Sequence, residues 1–151
     1  MIKPRVYLDT TVPSALLDAR APERQELTRE FWQRAPSQYE LVVSTLVLDE
    51  IRKTPGAERR KELEALAATC ELVELPDSAY ELADLYIGNG VIVAQYGDDA
   101  LHNATAAVHS LTILASWNFR HMVRLKTRQL VNLVNAANGY GSLDIVTPGQ
   151  L

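Results

Sequence analysis

The sequence predicts an α/β domain with a mainly parallel central sheet of about five strands, covered by helices on both faces in three layers. Three observations lead there. Five short β-prone runs recur along the chain, segments of helical periodicity separate them, and Pro, Gly, Asn or Asp stands at most junctions. The 151 residues are 47% hydrophobic, enough for one domain spanning residues 1–151 with its own core.

The elements follow in order. Arg5-Val6-Tyr7-Leu8 is the first strand and stops at Asp9, and Thr10 to Pro13 turn into a short helix. Pro22 to Arg34 carries Leu27, Phe31 and Trp32 at helical spacing among charges, which predicts an amphipathic surface helix. Leu41 to Ser44 is the second strand, and Thr45 opens a helix through Ile51 that Thr54-Pro55-Gly56 ends. Glu58 to Thr69 is a charged helix, Leu72 to Leu75 the third strand, and Asp77 the expected N-cap of the helix after it. Gly88-Asn89-Gly90 breaks that helix, and Asp98 to Ser110 forms an Ala-rich one. Thr112 to Trp117 is the fourth strand. Asn118 is expected to open a long helix to about Ala137, closed by Asn138-Gly139, before a fifth strand, Leu143 to Val146.

Composition narrows the function. Fifteen basic and 19 acidic residues give a net charge of −4, which excludes a protein that coats nucleic acid through overall positive charge. That average is uneven. Residues 1–98 hold 11 bases and 17 acids, whereas residues 99–151 hold 4 bases and 2 acids, with all four bases between Arg120 and Arg128. The single cysteine, Cys70, excludes an internal disulfide and a multi-cysteine zinc site. The first twelve residues contain Lys3, Arg5 and Asp9 and no long apolar stretch, so neither a secretory signal nor a membrane span is expected, and the cytoplasm is the expected setting.

In parallel sheets, ligands bind outside the carboxyl ends of the strands, so polar residues just after strands come first. Asp9 follows the first strand, Glu50 lies on the helix after the second, Asp98 and Asp99 open the Ala-rich helix, and Asn118 follows the fourth strand. Clustered carboxylates repel one another, and a divalent cation relieves that repulsion. Oxygen donors alone favour Mg²⁺ or Mn²⁺ over Zn²⁺. Each acid also has a structural reading: Asp9 as a helix cap, Glu50 on a solvated face, and Asp98 and Asp99 at a helix N-terminus, with only one of that pair turned into a site.

These residues carry a resemblance. Val6-Tyr7-Leu8-Asp9-Thr10-Thr11, Ser44 to Ile51 around Glu50, Asp99 to Ala107, and Leu114-Ala115-Ser116-Trp117-Asn118-Phe119 resemble, in order and spacing, the four motifs of the PIN domain family. The resemblance covers essentially the whole chain. It implies a three-layer PIN-like fold and a Mg²⁺- or Mn²⁺-dependent endoribonuclease acting on single-stranded RNA, of the kind found as VapC-type toxins. It implies catalytic roles for Asp9, Glu50 and Asp99, which with Asn118 would form the metal site. Thr10, Thr11, Asp98 and Ser116 would support it. Cleavage by metal-bound water would leave a 3′-hydroxyl and a 5′-phosphate. A small antitoxin and a second protomer are the implied protein partners, docking on the early helices around Phe31 and Trp32. The departure is Asn118, where many members carry Asp; it keeps an oxygen donor and loses a charge.

Arg120, His121 and Arg124, beside that position, are candidate RNA contacts. His102 and His109 are seven apart and read as packing or solvent-facing residues. Two other readings stay open: a PIN-like module that binds RNA or protein without turnover, motivated by Asn118, and an aspartyl phosphotransferase using Asp9. The second lacks the further Asp that such enzymes carry two residues on, since position 11 is Thr.

Overall fold

The computed structural model describes residues 2–151. Its elements are β1 (Arg5–Leu8), α1 (Thr11–Leu16), α2 (Pro22–Gln38), β2 (Glu40–Ser44), α3 (Thr45–Arg52), α4 (Ala57–Ala67), β3 (Glu71–Val73), α5 (Asp77–Gly88), α6 (Gly97–Val108), β4 (Ile113–Ala115), α7 (Leu125–Ala137) and β5 (Asp144–Val146). The strands form one sheet in the order β3-β2-β1-β4-β5, and every neighbouring pair is parallel. The chain winds outward from β1 through β2 to β3, then returns to lay β4 on the other side of β1. The carboxyl ends of β1 and β4 therefore flank the point where the winding reverses, the usual ligand crevice of an open parallel sheet.

Period-two alternation divides the core. Val6, Leu8, Leu41, Val43 and Ala115 face α1–α4, where Phe31, Val47, Ile51, Leu63 and Trp117 are buried. Tyr7, Val42, Leu114 and Ile145 face α5–α7, where Leu82, Tyr86, Ala104, Met122 and Val131 are buried. The Ala residues of α6 let it sit close to the sheet, and Ala100, Ala104 and Ala106 are wholly buried.

Several boundaries differ from the sequence reading. The amphipathic helix does not end at Arg34: it runs to Gln38 with Pro36 inside it, and Tyr39 N–H still bonds to the Ala35 carbonyl at 2.7 Å. Asp77 is not the N-cap of α5. Pro76 holds that position and Asp77 is the first helical residue, where its charge still complements the helix dipole. The helix expected from Asn118 starts only at Leu125. The Asn118 carbonyl accepts from both Met122 and Val123 N–H, closing a tight turn, and Arg124 is extended (φ −66, ψ 134) at the N-cap of α7. The Asn138-Gly139 stop holds: Gly139 adopts φ 81, a left-handed conformation that suits glycine, and Tyr140 N–H returns to the Asn135 carbonyl. No helix among the described residues is long and apolar enough to cross a membrane.

Candidate functional site

The site begins where β1 ends. Asp9 is 2% exposed, so its carboxylate needs donors in place of water. Oδ1 accepts from the Thr11 backbone N–H at 3.0 Å and from the Thr11 hydroxyl, and Oδ2 accepts from the Ser116 hydroxyl at 2.5 Å. Both hydroxyls also accept in turn. Thr11 Oγ1 takes the Trp117 N–H at 2.9 Å and Ser116 Oγ takes the Asn118 N–H at 3.0 Å. The ends of β1 and β4 are thus sewn together through one carboxylate. Asp9 is not the N-cap of α1, since Thr10 holds that position; its carboxylate instead bonds the first helical residue, Thr11.

The four residues Ser116-Trp117-Asn118-Phe119 divide their work. Ser116 holds Asp9. Trp117 turns into the core, where its Nε1–H donates to the Thr28 hydroxyl at 2.9 Å. Asn118 donates from Nδ2 to Asp99 Oδ2 at 3.0 Å, and its Oδ1 accepts the His121 N–H at 3.0 Å. Phe119 stays half-exposed, with the Arg24 guanidinium 5.4 Å from its ring centre.

Glu50 arrives from α3. Its Oε1 accepts from Thr10 Oγ1 at 3.1 Å and from His102 Nε2 at 2.5 Å. His102 is buried on α6, one turn beyond Asp99, and its Nδ1 meets the Tyr7 hydroxyl at 2.6 Å; Tyr7 in turn meets Ser44 Oγ at 2.8 Å. A continuous polar chain therefore runs from the sheet interior to the site. Sequence reasoning missed His102. The available signal was its three-residue spacing from Asp99, which puts both on one helix face.

The electrostatics follow from this crowding. Burial raises the Asp9 carboxyl above its ordinary value, against the His102 charge and the hydrogen bonds from Ser116 and Thr11. Asp99 is pushed up to about 6, first by burial and then by the charge of Asp9, with Glu50 adding in the same direction. Burial also raises Glu50, but the His102 hydrogen bond and charge outweigh it and leave this carboxyl below its ordinary value. His102 is correspondingly raised by Glu50, Asp9 and Asp99 despite its burial.

The donor set suits a hard divalent cation: Asp9, Glu50 and Asp99 supply oxygen only, and their mutual repulsion is what such a charge would relieve. The described residues do not form a closed cage, however. No three His, Cys, Asp or Glu side chains converge closely enough to hold one ion as they stand. The protein's own groups take part of that role: hydroxyls on Asp9, an amide on Asp99, and an imidazole on Glu50.

A groove of about 330 Å³ opens beside the acids, lined by Thr10, Thr11, Ser14, Arg24, Glu50 and Trp117 among others. A larger one, about 560 Å³ and lined by Lys3, Tyr39 and Glu71, lies at the amino ends of the strands, on the edge away from the acids.

Of the acidic pair, Asp99 meets Asn118 whereas Asp98 is exposed, so the structure turns one of them inward. Asp49 is exposed and paired with Arg52 at 2.9 Å, as a solvated residue should be. Arg120, His121 and Arg124 lie outside the helix expected from Asn118, because residues 118–124 are not helical. Arg120 and Arg124 are exposed, while the His121 ring stacks on Tyr96 at 3.7 Å, on the α6 side of the site. Sequence reasoning missed Tyr96 and Arg24 and placed Phe119 only as part of the fourth motif.

Fold and site together define a class: an open parallel α/β domain whose carboxylates gather where the winding reverses. The chain belongs to the PIN domain family, whose model matches residues 6–122. No curated protein sequence matches it. Among solved structures it is similar to VapBC2 from Rickettsia felis bound to a DNA fragment from its promoter (13% identity, 93% of this chain and 96% of that chain, TM-score 0.56). It is similar to a toxin–antitoxin complex from Klebsiella pneumoniae (13% identity, 95% and 97%, TM-score 0.62). It is also similar to VapC20 of Mycobacterium tuberculosis, a toxin that cleaves the sarcin-ricin loop (15% identity, 77% and 92%, TM-score 0.58). At these identities the likeness is one of fold.

Proposed function

We propose that this protein is a divalent-metal-dependent endoribonuclease acting on single-stranded RNA, and the toxin of a VapC-type pair. The observation that supports this reading is that Asp9, Glu50 and Asp99, from three separate elements, lie near enough for the charges of Asp9 and Glu50 to act on Asp99, although the three do not converge on one point as they stand. These three would hold Mg²⁺ or Mn²⁺, with Asn118 contributing by holding Asp99. A cation there supplies activation of water and charge stabilisation on the phosphodiester. Thr11 and Ser116 hold the Asp9 carboxylate in one orientation, and Thr10 and His102 do the same for Glu50. Asp98 adds negative charge at the rim. Arg120, Arg124 and Arg24 are exposed or groove-lining cations that can meet the RNA backbone, and the half-exposed Phe119 offers a ring for an unstacked base. The similarity to VapC20 supports RNA as substrate, and the similarity to VapBC complexes supports a small antitoxin as partner.

The test is cleavage of a labelled single-stranded RNA with Mn²⁺. The wild type should cut it, and Asp9→Asn should reduce the rate at least a hundredfold. Equal cleavage by both would remove Asp9 from the chemistry. A second reading, a PIN-like module that binds RNA or protein without turnover, is favoured by Asn118, whose amide replaces a carboxylate and spends its nitrogen on Asp99. RNA binding by the wild type with no cleavage at any Mn²⁺ concentration would select that reading.

A further inference from the structure

The feature that the nuclease reading leaves unused is His102. It is 2% exposed, yet every polar atom of its ring is engaged: Nδ1 with Tyr7 and Nε2 with Glu50. A buried histidine that merely filled space would find a backbone partner or water. This one is the middle of a directed chain, Ser44 to Tyr7 to His102 to Glu50.

We infer that His102 is a positioning residue that tethers Glu50 by one carboxylate oxygen and so reserves the other for a metal ion. The inference rests on the metal-site reading above. Its geometry does not depend on the charge of the ring. With a neutral ring, Tyr7 donates to Nδ1 and Nε2–H donates to Glu50. With a charged ring, both nitrogens donate, and Tyr7 accepts from Nδ1–H while turning its own O–H to donate to Ser44. In either case Nε2–H points at Oε1. Thr10 bonds the same oxygen, so both of the carboxylate's hydrogen bonds fall on Oε1, and among the described residues Oε2 has no protein donor. Asp9 is held differently, since both of its oxygens carry donors from β1's own turn and β4. Glu50 has no such clasp from neighbouring backbone, because it projects from the middle of a short helix. Its orientation is set by two side chains, Thr10 after β1 and His102 on α6.

Groups that orient a metal ligand from behind typically change metal affinity about 10- to 100-fold when removed. His102→Ala should therefore weaken Mn²⁺ binding, followed by calorimetry or by the Mn²⁺ electron-paramagnetic-resonance signal, about 10- to 100-fold. His102→Gln, whose amide can donate near the position of Nε2, should recover much of the loss. Tyr7→Phe, which frees Nδ1, should weaken binding in the same direction but less. The second readout needs no metal. In the wild type the Nε2 proton should be a slowly exchanging, downfield NMR resonance, and it should be lost in Glu50→Ala. A folded His102→Ala that binds Mn²⁺ within twofold of the wild type would overturn the tether. Tighter binding would overturn it too, by showing that the ring acts as a competing charge. If His102→Ala fails to fold, Tyr7→Phe decides: unchanged Mn²⁺ affinity in that variant refutes the tether. A wild type that binds no Mn²⁺ but shows the Nε2 proton signal would refute the metal reading, and with it the reserved oxygen, while the bond to Glu50 stands.

Discussion

Removing the charge of Asp99 should make the metal-free protein more stable. The carboxyl is shifted from 3.8 to about 6 by burial and by the neighbouring carboxylates. Ionising it inside the folded chain thus costs up to about 3 kcal/mol relative to the unfolded chain. The side chain is partly exposed and water screens it, so about 1–2 kcal/mol is the expected size. The sign follows from the raised value. Below about pH 4 Asp99 is protonated folded or unfolded, and the penalty is absent. It grows as pH rises, because the unfolded chain releases its proton first, and it is complete above about pH 6. Asp99→Asn keeps an oxygen that can accept from Asn118 and abolishes the penalty. In urea melts with EDTA at pH 7.5, the variant should exceed the wild type by about 1–2 kcal/mol, and the gap should close by pH 4. Saturating Mn²⁺ should reverse the order, since a ligand present at a hundred times its Kd adds about 2.7 kcal/mol to the form that binds it. A variant that is no more stable than the wild type at pH 7.5 without metal would refute the claim that these carboxylates strain one another.

Other expectations are more local. Ser116→Ala leaves Asp9 Oδ2 buried without its hydroxyl donor and should cost about 1–3 kcal/mol in denaturant melts, along with lower activity. Thr28→Val orphans the buried Trp117 Nε1–H and should cost a similar amount, about 1–3 kcal/mol, while the rate of RNA cleavage per folded molecule stays unchanged. Arg120→Glu with Arg124→Glu should weaken RNA binding and flatten its dependence on salt, by about 0.7 per lost phosphate contact in a plot of log affinity against log salt; an unchanged slope would take both residues off the RNA path.

Much of the fold was legible because its signals were local. The five strands were short apolar runs with clear stops, and the parallel sheet followed from their alternation with helices. The acids Asp9, Glu50 and Asp99 could be named because each stands at a strand end or on the helix that follows a strand or turn. Less legible was what depends on contacts between distant residues. Trp117 seeks Thr28 and Asn118 caps its own turn, so the expected helix start gave way to seven non-helical residues. His102 looked like packing because its partners, Tyr7 and Glu50, are 95 and 52 residues away in sequence. The helix expected from Pro22 to Arg34 runs on past Pro36 to Gln38, and the Arg34 guanidinium bonds to the distant Leu151 carbonyl.

The pairing of β1 with β4 also governs when the protein can act during its own synthesis. Tyr7 lies beside Leu114, and the first acid is clasped by Ser116, more than a hundred residues later. At about 5–20 residues per second, several seconds separate the emergence of these two partners from the ribosome. Until the later one is free, β1 has only β2 beside it, Asp9 has Thr11 but not the Ser116 hydroxyl, and Asp99 has no Asn118. A site built this way stays incomplete until Ser116 and Asn118 have left the ribosome.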